Sequence, residues 1–543
     1  MSRDVCHIKN QLSCQAQRCR CSHDIEAGYQ DALKWIHSSM RFGSKLGLER
    51  ISSLLELLGN PQKTTKFIHV TGTNGKGSVT SIVASVLKEA GYRTGMYISP
   101  YLEDYRERIM LNGKKIPKSK VASLVDRIRP AVEKLIQEGF EHPTEFEVNT
   151  ALGFLYFAQE NCDYVALEVG MGGRFDATNI VTPVVSVITT IDFDHMDRLG
   201  NSLSEIAYEK AGIIKPGVPV VTGAVEQEAL NVIQKRAAEC GSDLTIVGNV
   251  PFASVTWEDV TCSIKTTKEE SRSKDELSFL DGQIINISGP GYEFRNLKLP
   301  LLGRHQQQNA ALAVAALKAA RVRPLSVTAL DPGDTDALLC ETGKLNQDMK
   351  PKGSPTVSST VCRVSPEQKR DNSPFASQAL PASISLDEQG IRAGIARTVW
   401  PGRLEVMHRN PVVLLDGAHN PQGAKVLAEF LQKFSGKRIV CVYGILGNKC
   451  YKESTSLIAP LCDEIIVTKP HTPRALDPEL LAREVRQYTD KVIIEENSDK
   501  ALELALSRVS SEDIVLCSGS LYLVGPARTF IRNKFGISPY GGE

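Results

Sequence analysis

The sequence lacks the features that mark several broad classes of protein. Its 543 residues carry 64 Lys and Arg against 63 Asp and Glu, a net charge of +1. It therefore lacks the positive excess through which proteins bind nucleic acid or anionic membranes. No apolar run reaches the roughly 18 residues of a membrane-spanning helix. Since 42% of residues are hydrophobic and 23% charged, we expect a globular protein with no nucleic-acid and no membrane partner, and exclude collagens and fully disordered chains.

The cysteines also lack the pattern of a disulfide scaffold or a zinc site. There are 13 of them, an odd number in a long chain, whereas disulfide scaffolds are small secreted proteins. Cys19 and Cys21, with His7 and His23 nearby, do not have zinc-site spacing. We therefore predict a disordered lead-in over residues 1–24 rather than a metal site. No secretory signal core is present, so the expected location is the cytoplasm, with a mitochondrial or plastid form left open.

What is present, first of all, is an alternation of strand and helix patterns. An apolar strand at residues 66–70 precedes a helix over residues 78–90, whose apolar residues recur with helical spacing. Continuously apolar strands follow at 164–167 and 184–191. This alternation predicts an α/β fold with a mostly parallel sheet. At about 100–200 residues per domain, the length predicts two or more domains.

Changes in composition indicate where the domains divide. Residues 250–300 carry short β-branched runs separated by charges, which predicts antiparallel strands with an exposed loop. Residues 331–385 are rich in Pro, Ser, Asp and Lys and poor in aromatics. Such a segment buries too little apolar surface to offset its chain entropy, so we predict a disordered insertion. It separates a first domain, residues 25–330, from a second and smaller α/β domain, residues 386–543.

The sharpest motif is Gly-Thr-Asn-Gly-Lys-Gly-Ser at residues 72–78, between a predicted strand and a predicted helix. Glycines let backbone N–H groups approach phosphate oxygens, the helix N-terminus adds its dipole, and Lys76 can reach the terminal phosphates. The alternative is a plain glycine-rich turn. Gly77 follows the lysine where the usual loop has Ser or Thr. The hydroxyl that normally holds Mg²⁺ is therefore missing, and another oxygen has to replace it.

Three residues near predicted strand ends can supply metal ligands. They are Ser99, Glu168 and His195, and in open α/β sheets ligands bind outside the carboxyl ends of the strands. A hydroxyl, a carboxylate and an imidazole can hold Mg²⁺ whose other ligands are water and phosphate. The alternatives are that Glu168 caps a helix or pairs with Arg174, and that His195 is an ordinary structural histidine.

The loop resembles the nucleotide loop of the folate branch of the Mur ligase superfamily, which comprises folylpolyglutamate synthase and dihydrofolate synthase. The peptidoglycan Mur ligases usually have Thr or Ser where Gly77 stands. Together the matching segments cover residues 26–330 and 386–535, which is more specific than any single motif. Besides the loop, they are residues 97–102, 107–109, 167–179, 194–195, 209–213, 303–306, 401–403, 416–420 and 519–523.

The resemblance implies a fold and an activity. The fold would be a P-loop-containing, Mur-ligase-like central domain with a mostly parallel sheet, plus a smaller C-terminal Rossmann-like α/β domain. The activity would be ATP-dependent ligation, in which the carboxylate of a folate or dihydropteroate attacks the γ-phosphate of ATP. An acyl phosphate forms, and the amino group of L-glutamate displaces phosphate to give an amide. Two Mg²⁺ ions, room for a monovalent cation and a monomeric enzyme are implied.

The resemblance also assigns roles to residues. Lys210 is similar to a lysine that family members carry as a carbamate; without the resemblance it reads as a solvated helix lysine. Asn448-Lys449-Cys450 stands where the family often has Asp-Lys-Asp, which puts a contact through those acids in doubt. The implied catalytic residues are Lys76, Lys210 and His195; the ATP contacts Asn74, Gly75, Lys76, Gly77, Asn309, Arg403 and Asp416; the metal ligands Ser99, Glu168 and His195; and the pterin contacts Thr144, Glu145, Phe146, Glu147 and Arg174.

Two other functions fit part of the pattern. A peptidoglycan-type Mur ligase would use the same chemistry on another acceptor, but Gly77 and residues 107–109 count against it. A non-catalytic nucleotide-binding module would not need Lys76, Glu168 and His195 together. The sequence leaves open whether the acceptor is dihydropteroate, a reduced folate or both.

Overall fold

The computed structural model covers the predicted domains but not every predicted segment. The lead-in, apart from Asp24, and the insertion at residues 331–385 lie outside the residues that it describes. No helix in the described part of the chain is long and apolar enough to cross a membrane. The described residues are 24–43, 47–248, 258–264, 277–321 and 388–538.

The first sheet is large and mostly parallel, as predicted. Its strands are β1 (Lys66–Thr71), β2 (Thr94–Tyr97), β3 (Ile109–Leu111), β4 (Lys114–Lys115), β5 (Tyr164–Glu168), β6 (Val185–Ile188), β7 (Val220–Thr222), β8 (Leu244–Val247), β9 (Glu258–Ile264), β10 (Gln283–Gly289) and β11 (Tyr292–Leu299). They lie in the order β11-β10-β9-β8-β7-β6-β1-β5-β2-β3-β4. Every neighbouring pair from β9 to β2 is parallel. Antiparallel pairs form both edges of the sheet. The pairs made by β9, β10 and β11 confirm the antiparallel strands predicted for residues 250–300.

Helices cover both faces of this sheet, which explains why its central strands are apolar throughout. Their bounds are α1 (24–38), α2 (Glu49–Leu57), α3 (Lys76–Glu89), α4 (Lys118–Gln137), α5 (Glu145–Gln159), α6 (Met196–Leu199), α7 (Leu203–Lys210), α8 (Gln227–Glu239) and α9 (Arg304–Arg321). One core joins apolar residues of α1, α2, α4 and α5 to Phe67 of β1 and Leu167 of β5. Helix α3 contacts β5 and β2 and packs beside α9. The loop before α3 therefore lies at the carboxyl edge of the central strands.

A second, six-stranded sheet forms the C-terminal domain. It follows α10 (Glu388–Ala396) in the chain. Its elements are β12 (Glu405–Arg409), β13 (Val412–Asp416), α11 (Pro421–Leu431), β14 (Ile439–Tyr443), α12 (Tyr451–Ile458), β15 (Glu464–Val467), α13 (Pro478–Val485), β16 (Val492–Ile494), α14 (Ser498–Ser507), β17 (Ile514–Ser518) and α15 (Leu521–Phe535). The strand order is β12-β13-β17-β14-β15-β16. Only β12, which the sequence patterns did not predict, pairs antiparallel to its neighbour.

Helix α10 packs with the first sheet although the sequence places it after the insertion. Its Ile391 and Ile395 are fully buried, and the helix lies against α3 and β11. A Cβ on Gly394 would stand 2.3 Å from the Cα of Val86, so only glycine allows this approach. The Ser85 hydroxyl donates to the Gly394 carbonyl at 2.7 Å. The segment before residue 400 thus joins the first domain rather than the second, where the prediction had placed it.

Candidate active site

The glycine-rich loop joins β1 to α3, which is the context that the sequence predicted. Gly75 has φ 86° at the start of α3, and a Cβ there would meet Oδ1 of Asn309 at 2.5 Å. The Lys76 ammonium donates to the carbonyl oxygens of Gly72 (3.0 Å) and Thr73 (3.1 Å). The lysine is therefore held over the loop by backbone carbonyls that a phosphate group can replace.

The absence of a side chain at position 77 is explained by a contact with a residue more than three hundred positions away in the sequence. A Cβ at Gly77 would stand 2.1 Å from Cζ2 of Trp400. The indole therefore occupies the space where the usual loop carries its Ser or Thr side chain. Nothing local in the sequence marks this contact.

The loop faces a cavity of about 370 Å³, called here the first cavity. Its walls come from the carboxyl edge of the first sheet, the start of α9 and the segment around β13. The ends of parallel strands meet at one edge, so residues far apart in sequence converge there. All the residues predicted to contact ATP or metal, and Lys210, line this cavity: Asn74, Gly75, Lys76, Gly77, Ser99, Glu168, His195, Lys210, Asn309, Arg403 and Asp416.

The three predicted metal ligands all line the first cavity, and two of them, Ser99 and Glu168, are in contact. Glu168 ends β5, is 5% exposed, and accepts a hydrogen bond from the Ser99 backbone N–H at 3.2 Å. Burial raises the pKa of Glu168 to about 7, although the Lys76 charge opposes the shift. His195 starts α6 with φ 50°, and burial lowers its pKa although Asp194 opposes the shift. A buried carboxylate next to a serine, in a cavity that an imidazole also lines, offers donors of the kind that a hard divalent cation accepts.

Lys210 is buried rather than solvated. It ends α7, is 3% exposed, and its ammonium donates to the Gly72 carbonyl at 2.9 Å. Burial and the nearby Lys76 charge lower its pKa to about 7. The alternative of a solvated helix lysine is therefore wrong, and much of the amine is neutral near pH 7.

The second domain contributes two opposite charges, Asp416 and Arg403, to the lining of the first cavity. Asp416 ends β13, and its carboxylate accepts from the backbone N–H groups of Leu404 and Ala418, both at 2.8 Å. Burial raises the pKa of Asp416, and the positive charge of Arg403 opposes that shift. Burial lowers the pKa of Arg403 in turn, against the pull of Asp416. Each charge thus compensates part of the desolvation cost of the other.

Direct contacts close the first cavity across the two domains. The Lys449 ammonium lies 2.6 Å from Oδ1 of Asp194, and both side chains are largely buried. Burial would raise the pKa of Asp194, but Lys449 brings it well below its usual range. The Asn420 amide also donates to the side-chain oxygen of Asn74 at 3.1 Å. The lysine of Asn448-Lys449-Cys450 therefore reaches the site without the two acids that often flank it in the family.

A second cavity of about 390 Å³ adjoins the first and shares Ser99, Pro100 and His195 with it. Of the predicted pterin contacts, Thr144, Phe146 and Glu147 line it. Thr144 and Glu147 form the capping box of α5, in which the Thr144 backbone N–H donates to Glu147 at 2.8 Å. The Phe146 ring lies against Gly170, where a Cβ would stand 2.5 Å from the ring.

The other two predicted pterin contacts, Glu145 and Arg174, do not line either cavity. Glu145 is the first residue of α5 and points towards His37, whose Nδ1 is 3.3 Å from its carboxylate. The Arg174 guanidinium lies 3.9 Å from the Tyr208 ring centroid and donates to the Tyr208 carbonyl at 3.0 Å. These contacts hold the Arg174 guanidinium on α7. The ion pair between Glu168 and Arg174, one of the alternatives to a metal-binding role for Glu168, is therefore not formed.

Comparison with known proteins agrees with this architecture. The model of the Mur ligase middle domain matches residues 70–317, and that of the Mur ligase glutamate ligase domain matches residues 402–521. The dihydrofolate synthase/folylpolyglutamate synthase of Bacillus subtilis is 34% identical over 504 residues, which are 92% of this chain and 98% of that protein.

The chain belongs to the folylpolyglutamate synthase/dihydrofolate synthase family. The dihydrofolate synthetase of Saccharomyces cerevisiae is 30% identical, with 89% of this chain and 96% of that protein covered. The folylpolyglutamate synthase of Mycobacterium tuberculosis, solved as a complex with ADP, has a TM-score of 0.74 and 28% identity, covering 93% of this chain and 99% of that one. The predicted fold class, a Mur-ligase-like central α/β domain and a smaller C-terminal α/β domain, is confirmed.

Within this folylpolyglutamate synthase-like site, Asp176 is a residue that our sequence predictions missed. It lines the second cavity, and its buried carboxylate accepts from the backbone N–H groups of Thr178 (3.0 Å) and Met171 (2.9 Å). Burial raises its pKa against these hydrogen bonds. Its place in the matched segment 167–179, two residues after Arg174, was the signal that could have identified it.

Proposed function

We propose that the first cavity binds ATP, that the second binds a folate or dihydropteroate, and that the chain joins L-glutamate to that acceptor. The enzyme is an ATP-dependent ligase of the folate branch of the Mur ligases. The observation that carries the proposal is the convergence of the phosphate loop, the strand-end ligands and Arg403 with Asp416 on one cavity. The ADP complex of the M. tuberculosis relative supports a nucleotide there.

The residues of the first cavity suit phosphoryl transfer. The β- and γ-phosphates lie over the loop N–H groups, and the Lys76 ammonium exchanges the carbonyls of Gly72 and Thr73 for phosphate oxygens. The acceptor carboxylate then attacks the γ-phosphorus, which forms the acyl phosphate and releases ADP. The amino group of L-glutamate attacks the acyl carbon, which forms the amide and releases phosphate. Closure through Lys449 and Asp194 keeps water from the acyl phosphate.

The metal site is proposed on the fit of its donors. Ser99, Glu168 and His195 would hold Mg²⁺, and two ions would neutralise the transferring phosphoryl group when bound. Within the described ranges, no group of three or more His, Cys, Asp or Glu side chains is arranged to hold an ion alone. Water and phosphate oxygens would complete the coordination, as Mg²⁺ prefers.

Lys210 is proposed to act as a carbamate. Its neutral amine attacks CO₂ and releases one proton to solvent, so a C–N bond forms, one C=O π bond of CO₂ opens, and a neutral group becomes an anion. The carbamate nitrogen keeps one N–H, which can still donate to the Gly72 carbonyl, while two new oxygens face the cavity. An anion suits a cavity whose lining carries the cations Lys76 and Arg403, the first of which acts directly on Lys210.

We propose activity on both dihydropteroate and reduced folates, because the relatives include proteins named for each activity and for both. A monomeric enzyme stays the prediction that the family resemblance gave. The cytoplasm stays the predicted location.

One assay tests the function and its rivals. Purified protein is incubated with ATP, L-glutamate and, in separate arms, dihydropteroate, tetrahydrofolate or a UDP-linked muramyl peptide, and phosphate and product mass are measured. We expect glutamate-dependent phosphate release in the first two arms. Turnover only in the muramyl arm would show the peptidoglycan activity, and no turnover with intact ATP binding would show a non-catalytic module. Lys76→Ala should cost about 10²–10³ in rate, with Lys134→Ala on α4 as a control for loss of an exposed lysine.

A further inference from the structure

The second cavity continues into an open groove between α7 and α8. This α7–α8 groove has a volume of about 560 Å³ and shares Arg198, Leu199 and Glu209 with the second cavity. Tyr208 of α7 and Lys235 of α8 line its two sides. A ligand that outgrows the second cavity can therefore enter the groove without leaving the protein surface.

Charge distinguishes this groove from the other continuation of the second cavity. The groove is lined by four permanently charged bases, Arg174, Arg198, Lys235 and Arg236, against three carboxylates. The other continuation, about 750 Å³ between the loop after β2 and α15, has only Arg108 and Lys534 against four carboxylates. An anionic chain is therefore attracted by the groove and repelled by the other continuation.

The carboxylates of the groove are partly compensated by local partners. Glu239 lies 3.3 Å from Arg236, and Glu205 accepts from the Asn201 backbone N–H at 2.6 Å. Two of the four bases are partly compensated as well, Arg236 by Glu239 and Arg198 by Asp197 at 3.7 Å, so Lys235 and Arg174 are the bases on which the attraction depends. Lys235 is exposed on α8, so its ammonium is accessible to a ligand in solution. The Arg174 guanidinium, which failed to reach either cavity, stacks on Tyr208 at this site.

We propose that the α7–α8 groove binds the γ-glutamyl tail of acceptors that already carry several glutamates. The inference rests on the proposed function, because the terminal carboxylate has to reach the first cavity. Each glutamate added to the acceptor must then displace the rest of the molecule outward by one unit. Every γ-linked unit leaves one free α-carboxylate, so the displaced tail is a polyanion that fits the basic residues of the groove. The groove thus favours long acceptors over short ones.

The test compares acceptors of different length in one variant. Wild type and Lys235→Glu are assayed with monoglutamyl and pentaglutamyl tetrahydrofolate at low and high salt. We expect Lys235→Glu to raise KM for the pentaglutamate by about three- to tenfold, the scale of one or two exposed charge interactions, and to leave the monoglutamate kcat and KM unchanged. High salt should shrink the difference, and Lys235→Arg should restore the wild-type value.

The matched control is Lys134→Glu on α4, where the exposed lysine also stands four residues before a glutamate, Glu138. This control variant should leave KM unchanged for both the monoglutamyl and the pentaglutamyl acceptor. An equal KM for the pentaglutamate in wild type and Lys235→Glu, or an equal rise for both acceptors, would overturn the tail site. Calorimetric binding of free γ-pentaglutamate separates the failure of this proposal from the failure of the proposed function. If wild type binds the peptide more tightly than Lys235→Glu does but is inactive on every acceptor, the proposed function is refuted and the tail site is not.

Discussion

Two ammonium groups share one carbonyl oxygen at the centre of the site. The Gly72 carbonyl accepts from Lys76 at 3.0 Å and from Lys210 at 2.9 Å. Burial is the main cause that lowers the pKa of both lysines, and for Lys210 the charge of Lys76 adds to it. Such an arrangement is unfavourable while both are protonated. It becomes favourable once one of them is converted to an anion or meets phosphate.

Removal of Lys210 should therefore affect chemistry more than nucleotide binding. We expect Lys210→Ala to lose most turnover and to keep ATP affinity within a few fold, because Lys76 and the loop N–H groups remain. ¹³C-bicarbonate should label wild type, but not Lys210→Ala, at a carbamate carbon resolved by NMR. Turnover of the alanine variant at the wild-type rate, with or without bicarbonate, would refute the carbamate role.

The lowered pKa of Lys210 also predicts how stability depends on pH. Between about pH 7 and the ordinary lysine value near 10.5, the unfolded chain binds this proton and the folded chain does not. Its contribution is therefore fully present above pH 10.5 and is lost as pH falls through 7. In CO₂-depleted buffer, Lys210→Met should stabilise the protein most below pH 7 and progressively less towards pH 9.5. Thermal unfolding of both proteins across that range measures the difference, and a constant difference in Tm would contradict it.

At the scale of elements, the start of α3 is fitted to the segment after α10. The Trp400 indole stands where a side chain at Gly77 would lie, and the Ser81 hydroxyl of α3 donates to the Val399 carbonyl at 3.0 Å. The phosphate loop and the entry to the second domain are therefore packed as one unit.

This packing predicts a specific non-additivity. Gly77→Ser should cost about 1–3 kcal/mol by overpacking against Trp400, although serine suits the usual loop chemistry. In the background of Trp400→Ala, the same change should cost much less, because the obstructing ring is gone. Urea unfolding of the four proteins gives the coupling energy. Gly28→Ser on α1, where a Cβ would stand at an ordinary 3.7 Å from the Cβ of Ala122, is the control. Additive costs of the two changes would contradict the clash.

These elements also show what the sequence could and could not predict. The strand before residue 72 and the helix after it follow from local apolar spacing. The residues predicted to bind metal line one cavity because the ends of parallel strands meet at one edge. Trp400 against Gly77 and Lys449 against Asp194 are long-range pairs without any local pattern. The contact of Glu145 with His37 could not be predicted either, because the direction of a side chain in the first turn depends on the packing of the whole helix.

At the scale of the whole molecule, a buried ion cluster joins the two domains. The Arg528 guanidinium of α15 contacts Glu103, which follows β2, and lies 3.0 Å from Glu405 of β12. Arg532 adds a second contact to Glu103 at 2.9 Å. Since Ser99 lies on the same loop as Glu103, this cluster fixes a predicted metal ligand relative to the second domain.

Breaking the cluster should loosen this arrangement. Arg528→Met leaves two largely buried carboxylates with less compensation, and such a change typically costs about 3–5 kcal/mol. We expect a lower urea midpoint, a raised KM for MgATP and partial recovery in Arg528→Lys. Arg483→Met, at an exposed position of α13, controls for loss of a surface arginine. An unchanged midpoint and KM would show that the cluster does not hold the domains together.

The placement of α10 on α3 has a practical consequence for dividing the polypeptide. A cut between Arg321 and Glu388 would yield an N-terminal and a C-terminal fragment. The C-terminal fragment would carry α10, whose buried isoleucines pack on the N-terminal fragment. The ion cluster and the Lys449–Asp194 pair would add polar contacts to the same reassembly. Co-expressed fragments should therefore recombine into an active enzyme, whereas a C-terminal fragment that starts at residue 400 should not. Fused to two other proteins, the pair whose C-terminal fragment starts at residue 400 could then serve as a growth-selectable reporter of whether those proteins meet, because it does not reassemble by itself.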